Sequence, residues 1–275
     1  PLLGLDHIQV HHADALEYLQ EMEPVDCLFL DPARRDSHGG KTVAITECEP
    51  DVCALESLLV EKGRKVMVKL SPMLDMASAL RDLKYIRELH VIAVNNECKE
   101  LTAVLYQMNS VNESSEKEIV ISCEQAVHNS LSEPFTYTLS EEKNAVCQLA
   151  DRVETYLYEP GAALLKAGPY RLLSQRYGVK KLHPNSHLYT SSVQVDFPGR
   201  CFQVTGISGF GKKEVKELLG GLEKANLTVR NFPASVADLR KKLKLKEGGD
   251  VYLFATTLQN GEKVLIKCLK PALLS

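Results

Sequence analysis

Val25-Asp26-Cys27-Leu28-Phe29-Leu30-Asp31-Pro32-Ala33-Arg34-Arg35-Asp36 decides how the rest of the chain is read. An apolar run with β-branched and aromatic residues stops abruptly at Asp-Pro, the pattern of a buried strand that delivers a carboxylate to the end of a sheet. Pro32 fixes its own φ, donates no N–H and keeps Asp31 out of the α region, so Leu30 to Ala33 are expected to form an ordered, non-helical corner. In open α/β sheets the carboxyl ends of the strands are where ligands bind. An isolated Asp-Pro also serves simply to end a strand.

Outward from this corner the chain reads as alternating strands and helices. Ile8 to His12 is expected to be a short strand, with Asp14 capping a helix that runs to about Met22. After a polar loop at Ser37 to Lys41, Pro50 and Asp51 open a helix through about Lys62, closed by Gly63. Arg64 to Leu70 is a buried strand, and Ser71-Pro72-Met73-Leu74-Asp75 makes a second proline corner at the same edge. Asp75 is placed to cap a helix from Met76 to Leu83. Strands at Glu88–Val94 and Leu101–Met108 are joined by so few residues that no crossover helix fits between them, so they must be antiparallel.

The run Leu30-Asp31-Pro32-Ala33-Arg34-Arg35-Asp36 resembles the motif after the fourth strand of class I S-adenosylmethionine-dependent methyltransferases, in particular a bacterial family of them that ends in a THUMP-like domain. Glu159-Pro160-Gly161-Ala162, in the run Tyr156 to Gly168, resembles the start of the region that follows the catalytic sheet in the same family. The resemblance implies S-adenosylmethionine as cofactor. It puts the acid that hydrogen-bonds the adenine amine at Asp14, with Ala15 offering its N–H to the ring. The reaction corner falls at Asp31, Pro32, Ala33 and Arg34, with Arg35 available for a phosphate and Lys69 and Ser71 on the substrate side. Asp31 would orient or deprotonate the nucleophile, and Arg34 or Arg35 would hold a phosphate. Amine-methylating relatives carry Asp/Asn-Pro-Pro-aromatic here, whereas this chain has Ala33 and Arg34 in place of the second proline and the aromatic, so their stacking platform is absent. A complete sheet of this kind begins with a strand leading to a Gly-rich turn and a second strand ending in an acid for the cofactor ribose. Neither pattern precedes Asp14, so the main cofactor site is expected outside these residues.

Length and composition fit one large or two medium folded domains: 275 residues, 44% hydrophobic and 25% charged. No apolar run approaches ~18 residues, so no membrane-spanning helix is expected. The eight cysteines include no Cys-x-x-Cys pair and lie mostly within apolar patterns. They read as buried free thiols of a reducing compartment, the cytoplasm. His183 and His187 have a helical metal spacing, but Pro184 lies between them, and no metal site is expected.

The net charge of −3 is unevenly spread. From residue 208 onward there are 13 Lys and Arg against 7 Asp and Glu, with 20 against 29 before it. That basic segment reads as strand (Cys201–Ile207), helix (Lys212–Ala225), strand (Leu227–Phe232), helix (Ser235–Leu243) and strands Val251–Thr257 and Lys263–Leu269. This βαβαββ order suggests a compact α+β unit and fits the THUMP-like domain of the family resembled. Ser208-Gly209-Phe210-Gly211 places Lys212 and Lys213 at a helix start, where a phosphate could be received. Arg240, Lys241 and Lys242 begin a cation cluster at a helix C-terminus that is explained either by helix charge and solvation or by an RNA backbone. Arg230 would extend such a patch.

The expected architecture is therefore α/β. A partial Rossmann-like methyltransferase sheet ending in an antiparallel hairpin (1–110) is followed by a linking α+β segment (111–207) and a small basic ferredoxin-like or THUMP-like α+β domain (208–275). The expected function is methyl transfer to RNA, with a non-catalytic RNA-binding module as the alternative. The open edge of the parallel sheet is a place for self-association.

Overall fold

The computed structural model describes residues 7–33, 45–107, 118–127 and 130–272. Packing divides the chain into two units, Pro1–His90 with Lys99–Val120, and Val91–Cys98 with Ile121–Ser275.

In the first unit, helix α1 (Ala15–Glu21) starts where expected because Asp14 accepts from Leu16 N and Glu17 N at 2.8 and 3.1 Å. Strand β1 (Val25–Leu30) leads into the Asp31 corner. Helix α2 (Val52–Lys62), capped by Asp51, is followed directly by β2 (Gly63–Leu70). Helix α3 (Met76–Asp82) takes Asp75 as its cap, and β3 (Ile86–Val94) and β4 (Glu97–Leu105) form the expected hairpin. Asn95 and Asn96 turn that hairpin with φ of 50° and 61°, the left-handed conformations that asparagine tolerates best among residues with a Cβ.

The strand order is β1-β2-β4-β3. β1 runs parallel to β2, and β4 lies antiparallel on β2's other side with Val66 opposite Leu105. The core gathers Val52, Leu59 and Val60 of α2 with Val66, Val68 and Leu70 of β2. Glu56, 2% exposed, accepts from Lys84 N and Tyr85 N, so this buried carboxylate fastens the turn between α3 and β3.

Two expectations fail here. Ile8 to His12 is not a strand: it pairs with nothing among the described residues, and Val10 is 90% exposed. Without a neighbour its backbone groups turn to solvent instead of a ladder. β1 is not fully buried either. Among the described residues β2 is its single neighbour, so β1 is an edge strand with Cys27 exposed and Phe29 62% exposed.

The second unit begins with β5 (Val120–Val127), β6 (Ser130–Leu131) and β7 (Phe135–Thr138), where β6 and β7 both pair with β5. Thr138 and Glu141 then close a capping box on α4 (Leu139–Asn144). β8 (Tyr156–Pro160) precedes the short helices α5 (Ala162–Ala167) and α6 (Tyr170–Tyr177). Pro160 is the last residue of the strand, and α5 begins two residues later.

Strands β9 (Lys180–Lys181) and β10 (Tyr189–Ser191) follow. Then come β11 (Gly199–Ser208), α7 (Lys212–Leu219), β12 (Asn226–Arg230), α8 (Val236–Leu243), β13 (Tyr252–Thr257) and β14 (Lys263–Leu269), the expected βαβαββ order. α7 ends earlier than its apolar spacing suggests because Gly220 takes φ of 55° and closes it.

A single sheet runs β12-β13-β14-β11-β8-β10-β9, so the boundary expected at 207 falls inside β11. Alternation along β13 and β14 serves two cores. Phe254, Ile266 and Cys268 join Leu157, Leu188 and Phe202 on one face, whereas Leu253, Ala255 and Leu265 join Leu227 and Leu239 under α7 and α8 on the other. Gly199 is required where β11 meets β8, because a Cβ there would lie 2.2 Å from Glu159 O. Of the eight cysteines only Cys123 and Cys268 are buried, and burial pushes both thiols up to about 12.

Candidate functional site

Register places the Asp31 corner. Leu30 pairs with Val68 on the parallel strand, so Asp31, just past the end of β1, stands beside Lys69 near the end of β2, and Lys69 Nζ donates to Asp31 Oδ2 at 2.7 Å. Both side chains are partly open to solvent, at 30% for Lys69 and 48% for Asp31. Such a pair contributes at most about 1 kcal/mol to folding. Pro32 is buried, and Ala33 exchanges two backbone hydrogen bonds with Glu49, at 2.8 and 3.0 Å, which closes the corner. Ser71 begins the second corner, where its Oγ accepts from Met73 N at 3.2 Å. The corner thus brings Asp31, Pro32, Ala33, Lys69 and Ser71 to one edge of the sheet. Arg34 and Arg35 lie outside the described residues.

Asp14 and Ala15 stand at the exposed start of α1. Asp14 Oδ1 is engaged by Leu16 N and Glu17 N, and the preceding segment is exposed coil. A cofactor with an adenine, a ribose and an amino-acid arm needs walls on several sides, and the described residues around Asp14 offer an exposed cap only. They do not make a site for the whole of S-adenosylmethionine.

The basic residues divide by role. Glu214, on the first turn of α7, places a carboxylate oxygen 2.6 Å from a Cβ built on Gly209 and 3.1 Å from one on Gly211. The protein's own carboxylate thus covers the helix start where Lys212 and Lys213 were expected to flank a phosphate. Both lysines are exposed, and Lys213 lies 4.0 Å from Glu217. Arg240 is structural in part, since its Nη1 donates to Ala225 O at 3.2 Å. Lys241 is exposed, and Lys242 lies over the Phe210 ring at 5.8 Å. Arg230 does not extend this patch, because it reaches Glu159 instead, at 2.8 Å.

Glu159 is the residue that sequence reasoning missed. It is 1% exposed on β8 and holds two guanidinium groups, with Arg200 on its Oε2 and Arg230 on its Oε1. An acid in an otherwise apolar strand, Tyr156-Leu157-Tyr158-Glu159-Pro160, was the available signal. Beside it, in the same unit, lies a cavity of about 750 Å³ walled by Phe135, Tyr177 and Phe197, with Gln125, Gly161 and Arg200 among its other lining residues.

Comparison with known proteins bears on both parts of the chain. Residues 156–198 match a ferredoxin-like domain family, and residues 199–270 match the family described as THUMP domain-like. A solved structure described as a "putative methyltransferase" from Porphyromonas gingivalis W83 is 36% identical with a TM-score of 0.80. The match covers 90% of this chain and 60% of that one, so the chain spans about 60% of the length of the protein it resembles. No curated protein matches the chain.

Proposed function

We propose that this chain is the substrate-side part of an S-adenosylmethionine-dependent methyltransferase that acts on RNA. The observation that carries the reading is the Asp31–Lys69 pair, set 2.7 Å apart at the carboxyl ends of two parallel strands and braced by Pro32 and the Ala33–Glu49 bridge. The 36% identity to a protein described as a methyltransferase supports it. S-adenosylmethionine, when bound, supplies the methyl group. Methyl transfer needs in-line alignment above all, so the chain's own contribution is to orient the accepting atom. Asp31 accepts a hydrogen bond from that group or takes its proton, and Lys69 fixes the carboxylate in the direction required. Ser71 offers a hydroxyl at the same edge.

RNA is the proposed substrate because the THUMP-like domain ends α8 in exposed Lys241, Lys242, Lys244 and Lys246. Phosphate contacts of that kind give binding that weakens steeply with salt. A second reading, an RNA-binding module without catalysis, is favoured by one observation: Asp14 offers an exposed cap rather than a cofactor cavity. We place the protein in the cytoplasm, the reducing compartment that suits eight cysteines with no Cys-x-x-Cys pair. The open edge of β1 is proposed as a surface for self-association. The reading is tested by methyl transfer from radiolabelled S-adenosylmethionine to RNA by the full protein. Label that ribonuclease renders acid-soluble supports it, and label found in protein alone overturns the choice of RNA.

A further inference from the structure

The cavity of the second unit carries features that methyl transfer does not use. Gly161, from the Glu-Pro-Gly-Ala run, is buried at the start of α5 with an ordinary φ of −62°. A Cβ built on it would lie 3.5 Å from Gln125 Oε1, 3.7 Å from Pro198 O and 3.8 Å from Asn96 Oδ1. Three oxygen acceptors therefore surround a space that the missing side chain leaves open. Pro198 O already takes Gly161 N and Asn96 Oδ1 already takes Ala162 N, each with a lone pair left over. Gln125 Oε1 is buried and has no hydrogen-bond partner among the described residues. A buried acceptor left bare is costly, so a donor is the missing complement.

The charges around the cavity give the donor its sign. Its two cations are already engaged: Arg176 with Glu141 and Thr136 O, over the Phe135 ring at 4.7 Å, and Arg200 with Glu159. Its two carboxylates, Glu133 and Asp196, form no ion pair among the described residues. Both act on Tyr177, whose phenol is held above its ordinary range first by burial and then by Asp196, with Arg176 opposing and Glu133 adding. Glu133 and Asp196, both exposed, are thus the lining charges without an ion pair among the described residues, which favours a cation over a phosphate beside them, although Glu159 balances only one of the two guanidinium groups it holds. Phe135, Tyr177 and Phe197 supply the aromatic wall that suits an ammonium group on an alkyl stem.

We propose that this cavity binds an organic ammonium ion, its N–H groups donated to Gln125 Oε1 and the two neighbouring oxygens above Gly161. The ion is either a free polyamine or the lysine side chain of another protein. Every residue named for this site belongs to the second unit.

Isothermal titration of the full chain, freed of RNA, is the test, with spermidine for the first source, a short acetylated peptide bearing one lysine for the second, and adenosine monophosphate as the anionic control. Gly161→Ala adds a methyl group at ordinary contact distances, so it should fold with an unchanged melting temperature and yet fill the space. The expected result is one amine per chain, weakened at least tenfold in Gly161→Ala and in Gln125→Leu. Binding by spermidine alone assigns the site to a free amine, and binding by the peptide alone or more tightly assigns it to a protein. Failure of both amines to bind overturns the proposal, as does equal binding by the two variants or preference for adenosine monophosphate. Should Gly161→Ala not fold, Gln125→Leu decides. Since none of these measurements involves methyl transfer, the proposal stands or falls apart from the proposed function.

Discussion

Replacing Glu159 with Gln removes the charge on which two guanidinium groups converge. Glu159 is 1% exposed, while the Arg200 and Arg230 side chains keep 41% and 35% of their surface in solvent. Oε1 accepts from Arg230 Nε at 3.0 Å and lies 2.8 Å from its Nη2, and Oε2 accepts from Arg200 Nε at 2.9 Å. Hydrogen bonds to charged groups contribute about 1.5–3 kcal/mol each, and breaking a fully buried pair costs about 3–5 kcal/mol. Both arginines can turn to water, which lowers the figure. Glutamine retains one acceptor but turns an N–H pair toward a cation, which raises it again. The expected loss is about 3 kcal/mol, which for a unit of this size lowers the melting temperature by roughly 6–12 °C. Circular dichroism melts and urea unfolding measure it, and Arg230→Gln in the Glu159→Gln background should cost much less than it does alone. A loss below about 0.5 kcal/mol, in the range of ordinary surface substitutions, would refute the claim that Glu159 ties β8 to β11 and β12.

Other outcomes follow from the same geometry. His187 stacks on Tyr170 at 3.7 Å with its Nδ1 unpartnered, and burial first, then Lys181 and Arg230, hold its imidazolium down to about 4. The unfolded chain takes up that proton near its ordinary pKa and the folded one does not, so stability is constant above pH ~6.5 and falls as pH drops from there toward 4. His187→Asn, which tolerates φ of 52°, should flatten that slope in melts taken between those pH values, and an unchanged slope would remove His187 from the account. Gly199→Ala should cost about 3 kcal/mol or more in urea unfolding, because its Cβ would overlap Glu159 O. Residues 1–275 alone should bind S-adenosylmethionine at millimolar strength or weaker by calorimetry, since several directed hydrogen bonds at ~1–3 kcal/mol each find no partner near Asp14. Micromolar binding would show that the described residues do hold the cofactor.

The first unit was legible because its signals are local. Asp14, Asp51 and Asp75 all cap the helices that follow them, and the short link read from Asn95 to Glu100 required an antiparallel pair. What failed there needed knowledge of neighbours: among the described residues Ile8 to His12 has no ladder to join, and β1 has a partner on one edge only. Asp31, Lys69 and Ser71 could be proposed as one edge from strand ends alone, yet the Asp31–Lys69 hydrogen bond depends on a register that sequence does not reveal. In the second unit the order of elements was readable, but the role of Arg230 was not. Its partner Glu159 is 71 residues earlier, and a cation on a basic segment looks like part of a surface patch until the sheet brings the two together. Glu214 is the converse case: an acid three residues into a helix is an ordinary first-turn charge, and only the fold places it over Gly209.

The account rests most heavily on the carboxylate at the end of β1. Methyl transfer from radiolabelled S-adenosylmethionine to RNA, compared for the full protein and its Asp31→Asn variant, tests it directly. The account predicts that cofactor affinity stays within a few-fold while turnover falls by ~10²-fold or more, the range expected when a positioned acid–base group is lost. Turnover unchanged by the substitution would contradict it and leave Asp31 as the residue that ends a strand.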